Sequence, residues 1–126
     1  MIQEIDKVVE KIKKFGGEKI KFIILYGSQS TNNQTPLSDT DIAVYYDAGK
    51  EQRFKFRMKI LGRVDDQYDI QIFQDLPLYI KKDVIKGNIL YTSDKRLIHE
   101  ISRKTYKEFD DFKKRFYDYI KKGVIT

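Results

Sequence analysis

Residues 22–26, Phe-Ile-Ile-Leu-Tyr, form an uninterrupted apolar run that stops at Gly27. Such a run of strand-forming residues leaves no polar side to turn to water, so it belongs in the middle of a sheet with both faces covered. Two later segments read differently. In residues 39–46, Ile42, Val44 and Tyr46 fall on one side, and Asp41, Ala43 and Tyr45 on the other. In residues 68–73, Tyr68, Ile70 and Ile72 share one side, and Asp69 and Gln71 the opposite one. Strict alternation marks a strand with one buried and one wetter face. One fully apolar strand beside two half-polar ones predicts a layered fold, with helices mainly on one face of a sheet and the other face open where Asp41 and Asp69 project.

The intervening segments supply the helices. Ile2, Ile5, Val8, Val9, Ile12 and Phe15 recur at steps of three and four and predict an amphipathic helix over residues 2–15, ended by Gly16-Gly17. Phe54, Met58 and Leu61, with Ile60, mark a second helix that ends near Gly62. Pro77 opens a third over residues 78–86, and Ile89-Leu90-Tyr91 is a short strand. Asp94 can cap a long C-terminal helix over residues 94–122, with Ile98, Ile101, Phe109, Phe112, Phe116 and Ile120 along one stripe. The order is helix, strand, strand, helix, strand, helix, strand, helix. That is an α/β (α+β) class with a mixed β-sheet. No repeat or linker interrupts residues 1–126, and a chain of this length is expected to form a single domain.

Composition then narrows the chemistry. The absence of cysteine excludes a disulfide framework, a thiolate metal site and a cysteine nucleophile, and the lone histidine, His99, argues against Ser-His-Asp chemistry. No apolar run is long enough for a membrane span, and the N-terminal MIQEIDKVVEK lacks the apolar stretch of a signal peptide, so a cytoplasmic protein is expected. The net charge is +6, and much of the excess lies in residues 94–122, which hold ten Lys or Arg against six Asp or Glu. Because both signs are interspersed, this helix reads as a solvated face. A nucleic-acid partner stays open but is not favoured.

The candidate site gathers where the strands end. Asp39 and Asp41 are two residues apart on extended chain, so their side chains point to the same side. Adjacent carboxylates repel unless a cation lies between them, and hard oxygen donors suit Mg²⁺, which needs only one or two carboxylates when substrate phosphates supply the rest. Asp69, on the polar face of another strand, can complete a two-ion site. Asp65 and Asp66 are rivals, but they precede the strand. Gly27 has no side chain to keep a phosphate away, and Ser28 offers a hydroxyl and an N–H.

LYGSQSTNNQTPLSDTDIAVYYD, with Gly-Ser, ten residues, then Asp-x-Asp, resembles the signature of the minimal nucleotidyltransferases of the DNA polymerase beta superfamily. The resemblance continues through YDIQIF, where that family places its third Asp, and through LPLYIKKDVIKGNILYTSD. It implies the nucleotidyltransferase fold and Mg²⁺-dependent transfer of AMP, or another NMP, from ATP to a hydroxyl. It assigns Asp39, Asp41 and Asp69 as catalytic and metal-binding residues for two Mg²⁺ ions, and Gly27 and Ser28 to the nucleotide. Where the family often has small and basic residues and then glycine after Gly-Ser, this chain has Gln29-Ser30-Thr31-Asn32. Minimal nucleotidyltransferases resemble the antitoxin half of toxin–antitoxin pairs. That implies a HEPN-domain toxin as partner, with one of its tyrosines as acceptor. Three alternatives stay open: a non-catalytic antitoxin that binds by contact alone, transfer to an RNA end or small molecule, and a second copy of this chain as acceptor or partner.

Overall fold

The computed structural model describes residues 4–27 and 40–121. Its elements are α1 (Glu4–Gly16), β1 (Ile20–Tyr26), β2 (Thr40–Tyr46), α2 (Lys50–Leu61), β3 (Tyr68–Ile72), α3 (Leu78–Val84), β4 (Asn88–Thr92) and α4 (Lys95–Lys121). The sheet runs β3-β2-β1-β4. β1 is antiparallel to both of its neighbours, and β2 and β3 are parallel, so the sheet is mixed. The apolar run lies in β1, which is central, as its lack of a polar face requires.

Alternation sorts the side chains of the sheet into two cores. Ile23, Ile42, Val44, Ile70 and Ile72 face α1 and α2 and pack with Val8, Val9, Ile12, Phe56 and Ile60. Most of these are fully buried, and each such side chain stabilises the fold by about 1.5–3 kcal/mol. The second face is more covered than the alternation of β2 and β3 implies. Phe22, Ile24, Ala43 and Phe73 form a smaller core with Val84 of α3, flanked by Ile98 and Ile101 of α4. On that face Asp41 and Asp69 are half-buried, as are Tyr45 and Gln71.

α2 uses a different stripe from the expected one. Phe56 and Ile60 are buried, whereas Phe54 is 60% and Met58 42% exposed. The sequence offers two sets spaced by four, 54–58 and 56–60. The Phe56 ring stacks on Tyr46, centroids 4.3 Å apart and nearly parallel, and this selects the second set. Asp94 caps α4 as expected, its Oδ1 accepting the N–H groups of Arg96 at 3.0 Å and Leu97 at 3.4 Å. The first half of α4 packs on the domain; beyond Phe109 every residue to Lys121 is exposed, Phe112 and Phe116 included. Among the described residues, no helix is long and apolar enough to cross a membrane.

Candidate active site

The parallel register of β2 and β3 sets Asp41 opposite Asp69, Ile42 opposite Ile70 and Val44 opposite Ile72. The isoleucines and valine enter the core under α1 and α2, so the two aspartates share the opposite face. β1 adds Tyr26, which pairs with Asp41. Tyr26, Asp41 and Asp69 therefore form a row across three strands.

Gly27 follows directly. Its φ of 75° is in the left-handed region, where a Cβ is strained. A Cβ built there would lie 2.5 Å from Asp41 Oδ2, so only glycine lets the backbone pass this carboxylate.

Asp39 and Ser28 lie outside the described residues, as do residues 29–38 between them. Among the described residues no three His, Cys, Asp or Glu side chains converge to hold a metal. Asp41 and Asp69, side by side and half-buried at one end of the sheet, are the hard oxygen donors that Mg²⁺ takes in ones and twos. The two carboxylates present fit a divalent cation.

Three further side chains shape the carboxylates. Gln71 Nε2 donates to both oxygens of Asp69, at 3.1 and 3.2 Å. Arg57 of α2 brings its terminal nitrogen within 3.9 Å of Asp69 Oδ1. Burial, followed by the negative charges of Asp41 and then Asp69, pushes the Tyr26 hydroxyl from 10.0 up to about 12, with Arg57 pulling the other way. Alternation had already placed Gln71 on the face of Asp69. Tyr26 read only as core, and no pattern linked Arg57 to the site. Asp65 and Asp66 are exposed in the turn before β3, and His99 is exposed on α4.

The mixed sheet thus pairs two carboxylates beside a glycine bend. The chain matches the family described as Polymerase beta, Nucleotidyltransferase over residues 6–96, a stretch that contains all four strands, and it belongs to that family. A protein of Methanocaldococcus jannaschii named as a protein adenylyltransferase is 37% identical over 97 residues, 77% of this chain and 75% of that protein. A toxin–antitoxin crystal structure with AMP-PNP shares the fold with a TM-score of 0.72 at 20% identity, covering 94% of this chain and 98% of that one. A structure of tri-AMPylated Shewanella oneidensis HEPN toxin in complex with MNT antitoxin matches with a TM-score of 0.66 at 18% identity, over 94% and 95% of the two chains.

Proposed function

We propose that residues 1–126 act as one Mg²⁺-dependent nucleotidyltransferase domain that moves AMP from ATP to a hydroxyl of a partner protein, a tyrosine of a HEPN-domain toxin. The observation that carries the reading is the pairing of Asp41 with Asp69 at one end of the sheet, against Gly27. The naming of a relative as a protein adenylyltransferase supports AMP as the transferred group and protein as the acceptor. Toxin–antitoxin complexes of the same fold support the partner class.

Asp39, Asp41 and Asp69 would hold the Mg²⁺, which when bound offsets the charge of the triphosphate and of the leaving pyrophosphate and makes the acceptor hydroxyl more acidic. Gly27 and Ser28 receive the phosphates through backbone N–H groups and the serine hydroxyl. Asp69, at the outer strand, takes the proton of the acceptor hydroxyl. The hydroxyl oxygen bonds to the α-phosphorus, and the bond from that phosphorus to the bridging oxygen of pyrophosphate breaks. The exposed end of α4, with Phe112, Phe116 and Tyr117, is a surface on which a helical partner can seat aromatic anchors.

Incubation of the protein with ATP, Mg²⁺ and a HEPN-domain protein, followed by intact-mass spectrometry, tests this. The partner should gain AMP, and Asp41→Asn or Asp69→Asn should lower the rate by about 100-fold or more. Both variants should stay folded, because each removes one of two facing negative charges. Full transfer by the Asp41→Asn/Asp69→Asn double variant would end the assignment.

A further inference from the structure

The second half of α2 carries an arginine whose position its role in folding does not explain. Arg53, one turn earlier, is a structural brace: it forks onto Asp75 with bonds of 2.7 and 3.2 Å and donates to the Ala48 carbonyl at 2.9 Å. Arg57 instead reaches round the outside of the sheet. β3 is an edge strand of the sheet, and among the described residues it pairs only with β2. Arg57 Nε donates to the Ile70 carbonyl at 2.8 Å, and the same guanidinium comes to 3.9 Å from Asp69 Oδ1. The Gln71 amide donates to both Asp69 oxygens. The Asp69 carboxylate thus has a guanidinium, anchored on the Ile70 carbonyl, and an amide donor beside it.

As a stabilising pair this is weak, since both side chains are partly exposed, 27% and 40%. As an electrostatic device it is not. A guanidinium beside a carboxylate repels any divalent cation that the same carboxylate would hold, enough even at the dielectric constant of water to weaken binding by roughly three- to tenfold. We propose that Arg57 is a positioning residue with two opposed effects on Asp69. It fixes where the carboxylate sits at the sheet edge, which transfer requires, and it lowers the affinity of that carboxylate for a divalent cation. This inference rests on the reading of Asp69 as a cation-side carboxylate.

Mn²⁺ titration of the nucleotide-free protein, followed by the electron paramagnetic resonance of free Mn²⁺, reads the charge effect without any turnover. Arg57→Gln should bind Mn²⁺ about three- to tenfold tighter than wild type while kcat falls by roughly tenfold. Arg57→Met, which keeps the aliphatic stem, is the second uncharged variant and should behave the same way. Arg57→Lys keeps the charge but not the fork. Its Mn²⁺ affinity should stay within about twofold of wild type while kcat still falls. A loss of packing alone would not tighten cation binding. Unchanged or weaker Mn²⁺ binding in both uncharged variants overturns the proposal, as does tightening that survives Asp69→Asn in the Arg57→Gln background. A wild-type protein that transfers no nucleotide, yet whose uncharged variants gain Asp69-dependent Mn²⁺ binding, would overturn the transferase reading and leave this one standing.

Discussion

At Gly27 the backbone passes close to a candidate catalytic carboxylate, and its two demands are separable. The positive φ disfavours any L side chain by about 1–2 kcal/mol, and the approach to Asp41 Oδ2 leaves no space for a methyl group. Gly27→Ala should therefore lose about 1–2 kcal/mol in urea denaturation and lower transfer at least tenfold. The activity loss should persist at temperatures where the variant is fully folded. Beside it, Tyr26 makes a pH prediction. The folded protein holds the phenolic proton to about pH 12, whereas an unfolded tyrosine releases it near 10.0. The folded state thus binds more protons between these values, and stability must fall as pH rises through them. The loss is about 2–3 kcal/mol in total, and none of it appears below about pH 9. Melting in EDTA at pH 9 and pH 11.5 should show a steeper drop for wild type than for Tyr26→Phe. Gly27, Asp41 and Asp69 were legible because an interrupted apolar run and strict alternation speak directly about which way a residue points. Arg57 was not, because a helical residue that crosses a strand edge obeys neither period.

At the scale of elements, the strands were easier to read than the helices. β2 and β3 each alternate cleanly, so their faces follow from the residues alone, and Phe22 to Tyr26 can sit only at the centre. α2 shows the opposite case. Its charged, weakly patterned sequence places apolar residues at both 54–58 and 56–60, and a tertiary contact, the Phe56–Tyr46 stack, chooses between them. Phe56→Ala should cost about 3–5 kcal/mol, whereas Phe54→Ala should change stability by less than about 0.5 kcal/mol, by denaturant titration. If the two costs were equal, the observed helical phase would be wrong. In α4 a single apolar stripe runs the whole helix and gives no sign of where burial stops. It stops where α3 no longer lies alongside, which is information about the third helix and not the fourth.

The whole molecule joins these levels through ligand binding. A nucleotide bound only by the folded protein stabilises it by mass action, about 2.7 kcal/mol at a hundredfold excess over its dissociation constant, or roughly 10 °C for a chain of this size. ATP with Mg²⁺ should raise the melting midpoint of the wild type by that order, and Asp41→Asn should abolish most of the rise; an equal rise in both would place the nucleotide elsewhere. The parallel β2–β3 ladder has a further consequence. The same pairing that sets Asp41 beside Asp69 also seats Ile70 and Ile72 in the main core. A shift of β3 by one residue would turn Asp69 inward and the isoleucines out to water. Insertions or deletions between α2 and β3 should therefore yield no well-folded but mute protein, only intact molecules or aggregated ones, and loss-of-function alleles in that stretch should be recognisable by their insolubility.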